Sequence, residues 1–77
     1  MHAKERPTRE SMYVDAYLDG PAYTIGTFLA YSLRGEARRW SDVYARALQR
    51  ALWRREARGE VIPTTSVGGG LAYRRRE

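Results

Sequence analysis

The sequence predicts a mainly α-helical protein with a small β-hairpin, an α+β fold that forms one domain over residues 10–77. Three observations support this fold class. Apolar residues recur at helical spacing from residue 40 to residue 52, which indicates a long amphipathic helix. A shorter apolar stripe follows Thr24, a residue type that caps helices. Two runs rich in β-branched and apolar residues flank the glycines at 68–70, which is typical of a hairpin.

Residues 10–19, ESMYVDAYLD, are expected to form the first helix. Helical spacing pairs its tyrosines at i and i+4, and Gly20 supplies a stop signal after the last turn. The same residues also alternate as a half-buried strand would, and the Asp-Gly pair at the end also fits a hairpin turn. Pro21 follows at once and fits a tight hairpin poorly, so the helix is favoured.

A short extended link at residues 21–23 leads to the second helix. Thr24 is expected to cap its first turn, and the sequence IGTFLAYSLRG continues it to a stop at Gly35. Residues 35–39 are expected to form a basic loop into the third helix. One face of the second helix is lined by Ile25, Phe28, Leu29, Ser32 and Leu33.

The third and longest helix is predicted over residues 40–58, with Ser41 as its N-cap and Gly59 as its left-handed stop. Almost every charge on its polar side is an arginine. The apolar stripe is expected to consist of Trp40, Val43, Tyr44, Ala47, Leu48, Ala51 and Leu52. The opposite face is expected to carry Ser41, Asp42, Ala45, Arg46, Gln49, Arg50, Trp53 and Arg54.

After the third helix the residues change to a strand–turn–strand pattern. The first arm, Val61–Thr65, is rich in β-branched residues, and the second arm is expected over residues 71–74. Residues 66–70 are expected to form the turn, because glycines permit backbone conformations that other residues rarely adopt. Pro63 cannot donate a ladder hydrogen bond, which confines the first arm to a sheet edge or a bulge.

With 77 residues, the chain has room for one domain with a small core. It contains no cysteine, which excludes disulfides. With a single histidine as well, neither a metal centre nor a cofactor is expected. Because no apolar run has membrane-spanning length and the first ten residues lack the apolar core of a signal peptide, a cytoplasmic protein is expected. Residues 1–9 are expected to form a flexible basic arm.

Positive charges are unevenly spread along the chain, whose net charge is +5. Residues 10–33 contain no Lys or Arg, whereas residues 34–58 contain eight arginines against three acidic residues, and three more arginines follow at 74–76. Cations gathered on one helix, its lead-in and the tail form the electrostatic footprint of a nucleic-acid surface. Alternatively, arginine is simply the preferred surface residue of this proteome, and composition alone does not separate the two.

The order of elements resembles the winged helix-turn-helix family of DNA-binding domains. Two segments are similar to that family: AYLDGPAYTIGTFLAYSLRG looks like its first-helix ending, short strand and second helix, and RALWRREARGEV looks like the end of its recognition helix. The C-terminal hairpin stands where the family carries its wing. Two positions depart from the pattern, because Arg55 replaces a large aliphatic residue and Glu60 an apolar one. Either the helix end packs differently, or Trp53 and Ile62 fill the gap.

The resemblance implies that the third helix enters the major groove of DNA. The residues expected to read bases are Ser41, Asp42, Ala45, Arg46, Gln49 and Arg50. The arginines suit guanine and the glutamine suits adenine, because both can form paired hydrogen bonds to those base edges. The residues expected to contact phosphates are Arg38, Arg39, Arg54, Thr64, Thr65 and Arg74. The spacing of the arginines also fits a solvated helix face with Asp42 and Glu56 as local partners.

These features predict a small DNA-binding protein, most simply a transcriptional regulator of phage or mobile-element type. Its expected partner is double-stranded DNA, with a second copy of the chain or a larger protein as a possible further partner. Binding to a membrane or to a small-molecule ligand is not expected. The alternative is a small protein-interaction module, an inhibitor or adaptor built on the same fold. An enzyme is not expected, and Asp15 and Asp19 are interpreted as a solvated pair.

Overall fold

The computed structural model describes residues 9–77, with side chains from residue 11 onward. In this part of the chain three α-helices precede a two-stranded antiparallel sheet, so the predicted α+β composition is confirmed. Residues 1–8 of the predicted arm lie outside the described residues, and the first helix begins at Arg9. The elements are α1 (Arg9–Asp19), α2 (Ile25–Ser32), a short 3-10 helix (Gly35–Trp40), α3 (Ser41–Ala57), β1 (Val61–Thr65) and β2 (Leu71–Arg75).

The hydrophobic core lies where the three helices and the hairpin meet. Each large apolar side chain in it stabilises the fold by about 1.5–3 kcal/mol on burial. Because all three α-helices and both strands supply buried residues, the hairpin is part of the same packed unit as the helices. The buried members are Val14, Tyr17, Leu29, Leu33, Leu48, Ala51, Leu52, Val61 and Tyr73.

Helix α1 forms from the segment whose sequence fits both a helix and a strand. Val14 and Tyr17, three residues apart, are both buried in the core, and only the helix brings that spacing to one side. The ring of Tyr17 meets Phe28 of α2 edge-on with centroids 5.3 Å apart. Tyr13 meets Tyr44 of α3 with centroids 5.4 Å apart. Aromatic pairs therefore fix α1 against both other helices.

Helix α2 begins where the sequence predicts. Thr24 is its N-cap, and its hydroxyl accepts a hydrogen bond from the backbone N–H of Thr27 at 3.2 Å. The helix ends at Ser32, and the N–H of the next residue, Leu33, donates to the carbonyl of Leu29 at 2.9 Å. Leu33 is buried although it lies outside the helix, so the core itself holds this end.

The connection between α2 and α3 is the 3-10 helix rather than the loop predicted at residues 35–39. Gly35 turns the chain with a left-handed backbone, φ +57°. Ala37 donates its N–H to the carbonyl of Arg34 at 3.1 Å and packs against the core. These contacts wind the connection tightly, and α3 begins directly after Trp40.

Three predictions about the start of α3 are wrong. No side chain among the described residues caps its first turn, so Ser41 is not the N-cap. Trp40 and Val43, expected in the apolar stripe, are 58% and 56% exposed. Trp40 belongs to the 3-10 helix, whose three residues per turn take it off the faces of α3, and Val43 lies about 140° around α3 from Leu48. The residues that pack inward are Tyr44, Ala45, Leu48, Ala51 and Leu52.

Strands β1 and β2 form the predicted hairpin, in which Pro63 lies opposite Tyr73. Gly70 at the tip has φ +93°, a left-handed conformation that favours glycine. The tip is anchored on the link between α1 and α2, because the N–H of Val67 donates to the carbonyl of Ala22 at 2.7 Å. The hairpin is thus held at its tip as well as through the buried residues of its strands.

Candidate nucleic-acid interface

The side of α3 that faces away from the core carries Val43, Arg46, Arg50 and Trp53, which recur three or four residues apart. We call these four residues the outward face; all four are exposed. Within residues 11–77, Arg46 and Arg50 form no ion pair and no hydrogen bond. Asp42 precedes Arg46 by one turn, but the two do not pair. The arginines of this face are therefore open to an external anion.

Like charges stand close together along this side of α3. Arg46 and Arg50 stand at i and i+4 and are both exposed. At that spacing, like charges destabilise an isolated helix by about 0.2–0.5 kcal/mol per pair. A polyanion placed against the outward face would relieve this repulsion, which a neutral partner would leave in place.

Two of the six predicted base-reading residues are half-buried, and only Arg46 and Arg50 belong to the outward face. Ala45 is half-buried and packs against the core, because it lies about 60° around α3 from Leu48. Gln49 is half-buried, and its amide Nε2 donates to the hydroxyl of Tyr73 in β2 at 3.1 Å. The remaining four, Ser41, Asp42, Arg46 and Arg50, are exposed.

The arginines before α3 are engaged with the protein's own backbone and side chains. Arg38 donates from Nε to the carbonyl of Leu33 and from Nη2 to the carbonyl of Ala30, both at 3.2 Å, and so caps the C-terminal end of α2. Arg39 forms an exposed ion pair with Glu36 at 3.4 Å. Such a surface pair is worth about 0–1 kcal/mol, so Arg39 can exchange it for a contact with a phosphate at little cost. Arg38, in contrast, stabilises the end of α2.

The predicted phosphate contacts of the hairpin lie on both of its strands, Thr64 and Thr65 on β1 and Arg74 on β2. Thr65 and Arg74 are exposed and Thr64 is half-buried. Arg74 stands opposite Ile62 in the sheet, and its contact with the carbonyl of Arg75 is long, 3.5 Å. The guanidinium of Arg74 is thus only weakly held.

A chain of hydrogen bonds fixes the hairpin relative to α3. The hydroxyl of Tyr17 donates to the carbonyl of Tyr23 at 2.6 Å and accepts from the backbone N–H of Tyr73 at 3.0 Å. Gln49 of α3 then donates to the hydroxyl of Tyr73. Burial raises the pKa of Tyr17 above its ordinary value of 10.0, because desolvation disfavours the phenolate. One buried hydroxyl therefore joins α1, the link after it and β2.

A second group of arginines lies on the opposite side of α3 and is paired. Arg55, with a side chain only 22% exposed, lies 3.6 Å from the carboxylate of Asp15 and 3.7 Å from that of Glu60. Arg75 of β2 reaches both Asp15 and Asp19 of α1, at 3.7 and 2.5 Å. We call these five residues the acid–base cluster. Asp15 and Asp19 are not the solvated pair that the sequence predicts, because arginines from α3 and β2 converge on them.

The acid–base cluster explains the two departures from the winged-helix pattern. Gly59, with φ +77°, ends α3 as predicted. The N–H of Glu60 donates to the carbonyl of Arg55 and that of Gly59 to the carbonyl of Glu56, both at 2.9 Å, which is a Schellman motif. An apolar contact usually joins the two residues that Arg55 and Glu60 occupy, and here an ion pair replaces it. The end of α3 thus packs differently, and Trp53 remains exposed.

The chemistry available on this surface is that of anion binding. Across residues 9–77, no group of three or more His, Cys, Asp or Glu side chains is arranged to hold a metal ion. None of the helices in that range has both the length and the apolar character needed to cross a bilayer. No known family model, curated protein or solved structure matches this chain.

Proposed function

We propose that this chain is a small DNA-binding protein with a winged helix-turn-helix arrangement. In this arrangement α2, the 3-10 helix and α3 form the helix-turn-helix, and the β1–β2 hairpin is the wing. The observation that carries the proposal is the pair Arg46 and Arg50, which are exposed on the outward face and have no partner among residues 11–77, while Arg55 and Arg75 neutralise the carboxylates of α1. An exposed row of unpaired arginines on one helix complements the phosphate charge of a duplex.

Arg46 and Arg50 are the proposed base-reading residues. Four residues separate them by about 6 Å along the axis, which is between one and two base-pair steps of about 3.4 Å each. Each guanidinium can donate two hydrogen bonds to O6 and N7 of a guanine, a contact worth about 1–3 kcal/mol of discrimination. Two guanines within a few base pairs are therefore the expected centre of a preferred site.

The proposed phosphate contacts come from the residues around α3. Arg39 lies in the 3-10 helix just before α3, Arg54 lies in the last turn of α3, and Thr65 and Arg74 lie on the hairpin. Such contacts set the position of the protein on the duplex without reading its sequence, and they make the affinity fall as salt rises. Arg38 would contribute its charge while it continues to cap α2.

We further propose that the protein acts as a transcriptional regulator of phage or mobile-element type. A single module of this kind buries a modest area on DNA, about 600–1,000 Å². Pairing of two copies on the duplex, or recruitment beside a larger protein, would raise the affinity and the length of sequence that is read.

The experiment is fluorescence anisotropy of a labelled random duplex with the whole chain at about 50 and about 200 mM salt. Binding that weakens steeply with salt, and that falls further in Arg46→Ala/Arg50→Ala than in a control variant, supports the proposal. Arg58→Gln/Arg75→Gln is the matched control, because it also removes two positive charges and both arginines are paired away from the outward face, Arg58 with Glu60 at 2.8 Å and Arg75 with Asp19. No binding at the lower salt concentration, or equal losses in both variants, would contradict it.

A second candidate function is that of a protein-interaction module. It is favoured by Trp40 and Trp53, two large aromatic side chains that are 58% and 57% exposed, since tryptophan is enriched at the centres of protein interfaces. Under this alternative, Trp40→Ala/Trp53→Ala abolishes capture of a protein partner, while duplex DNA does not bind at either salt concentration.

A further inference from the structure

The outward face begins with an apolar side chain that the proposed arginine contacts do not use. Val43 is the third residue of α3 and is 56% exposed. It stands three residues before Arg46 and seven before Arg50, so the three side chains form one row along the helix. A ligand that lies against the two arginines therefore also meets Val43.

Valine at an exposed helix position is better suited to contact with a ligand than to stabilising the helix. A β-branched residue is among the weaker helix formers, so an exposed helix position gains nothing from it. Its χ1 angle is held near one value in a helix, which fixes the direction of both methyl groups before any partner arrives. Little side-chain entropy is lost when those methyls are buried against a ligand.

Resting on the proposed function, we infer that Val43 is a specificity-determining residue that packs against the C5-methyl group of a thymine in the major groove. Of the four standard bases, thymine is the one that presents a methyl group in the major groove, and apolar side chains commonly contact it. Arg46 and Arg50 in the same row form no ion pair with any side chain that the structure describes, and their charges select a polyanion as the occupant, in preference to an apolar protein surface. The thymine lies beside the guanine that Arg46 contacts.

The position of Val43 along α3 supports this role over the other apolar residue of the outward face. The N-terminal residues of a recognition helix contact base edges. Trp53 lies ten residues further on, about 15 Å along the axis, which exceeds the width of the major groove, about 12 Å. When the first turns of α3 are in the groove, Val43 faces the bases and Trp53 faces the backbone or lies outside the groove.

The experiment begins with selection of bound sequences from a random duplex pool by the whole chain. Each thymine of the selected site is then replaced singly by deoxyuridine, which lacks only the methyl group. At one thymine beside the guanine assigned to Arg46, the substitution is expected to raise the Kd of the unaltered protein about 3- to 5-fold, the effect of losing one buried methyl group. Val43→Ala is expected to bind the thymine and deoxyuridine duplexes equally.

Two controls keep the result specific. Val67→Ala removes another exposed valine, at the hairpin tip, and is expected to leave the thymine preference unchanged. A duplex with 5-methylcytosine at the same position carries the same methyl group on a different base. Tighter binding of that duplex than of the thymine duplex would assign the methyl group to methylated cytosine and would overturn the thymine assignment.

The outcomes separate this inference from the proposed function. If no duplex binds, the proposed function fails and the inference fails with it. If a site is selected but deoxyuridine costs nothing at any position, or costs Val43→Ala as much as the unaltered protein, the inference alone is overturned. Because Val43 is exposed and alanine is the better helix former, the thermal unfolding midpoint of Val43→Ala is expected to be no lower.

Discussion

The outward face of α3 and the acid–base cluster are both built on arginine, but they differ in what surrounds the guanidinium groups. Arg55 in the acid–base cluster is only 22% exposed and lies between the carboxylates of Asp15 and Glu60. Arg46 and Arg50 are exposed and, among the described residues, have no carboxylate within ion-pair distance. The number of arginines on a helix therefore says little about their role; their position relative to the acidic residues of α1 separates paired charges from those that are open to solvent.

The positive charges of α3 are neutralised on one side of the helix only. The acidic residues that neutralise arginines come from α1 and from the turn after α3, and they lie on the side of α3 that packs against α1. Asp42 and Glu56 lie on α3 itself but form no ion pair with Arg46 or Arg50 within residues 11–77. One side of the helix is electrostatically satisfied, and the other retains an excess of positive charge.

The largest effect is expected from Arg46→Ala/Arg50→Ala. Its affinity for a selected duplex should fall by at least about 2 kcal/mol, since each base contact is worth about 1–3 kcal/mol. Its free energy of unfolding should stay the same or rise slightly, because a repulsive i, i+4 pair is removed and alanine favours the helix. Anisotropy and urea denaturation measure the two quantities. A large loss of stability would mean that these arginines are structural after all.

The next largest effect is expected from Tyr17→Phe, which tests the hydrogen bonds that hold the hairpin beside α3. Removal of the hydroxyl leaves the N–H of Tyr73 and the carbonyl of Tyr23 without this partner. The free energy of unfolding should fall by about 1–3 kcal/mol, measured by urea denaturation. An unchanged value would show that the hydroxyl is not needed to position the hairpin.

The same tyrosine gives a pH dependence whose sign follows from its raised pKa. Above pH 10.0, the ordinary pKa of tyrosine, the unfolded chain loses the phenolic proton while the folded protein still holds it. The contribution of Tyr17 to stability is therefore fully present below that pH and is lost as the pH rises further. Tyr17→Phe should show a flatter decline in its unfolding midpoint between neutral and alkaline pH. Parallel declines in both proteins would attribute the alkaline loss to other groups.

The smallest effect is expected within the acid–base cluster. A double-mutant cycle with Arg55→Ala and Glu60→Ala should give a coupling energy of about 0.2–1 kcal/mol, because both side chains keep some contact with water. DNA affinity should change much less than in Arg46→Ala/Arg50→Ala. If Arg55→Ala instead weakened DNA binding as strongly as the outward-face variant, the division between the two groups of arginines would be wrong.

Much of the fold could be predicted because its signals are local. Thr24 and Gly59 act within a few residues of their own positions, and the strand–glycine–strand pattern at 61–75 specifies the hairpin. The ambiguity of α1 could be resolved in favour of a helix from Gly20 and Pro21. Each of these features is determined by residues next to it in the sequence, so it can be predicted without knowledge of the tertiary contacts.

The orientation of α3 could not be predicted because it depends on where the helix begins. The 3-10 helix at 35–40 changes the number of residues per turn just before Ser41, and Trp40 consequently loses its expected place in the core. Val43 is exposed because it lies about 140° around α3 from Leu48. The predicted stripe included Ala47 because it counted Trp40 and Val43; centred on Leu48 instead, helical spacing puts Ala45 about 60° away and Ala47 about 100° away, and Ala45 packs against the core.

The partners of the candidate site are non-local, which also places them beyond a single sequence. Gln49 bonds to Tyr73, 24 residues away, and Arg55 pairs with Asp15 on another helix. The one available signal was the pair of departures from the winged-helix pattern at Arg55 and Glu60. Opposite charges at the two positions that normally share an apolar contact would have indicated that they compensate each other.

The most direct test of the outward face as the DNA-binding surface is an NMR titration of the ¹⁵N-labelled protein with short duplex DNA at low salt. The largest amide shifts are expected along residues 41–54, with smaller ones at Thr65 and Arg74 on the hairpin. The amides of Asp15 and Asp19 in α1 are expected to stay in place. Shifts concentrated on α1, or no shifts at all under these conditions, would contradict the assignment of this face to DNA.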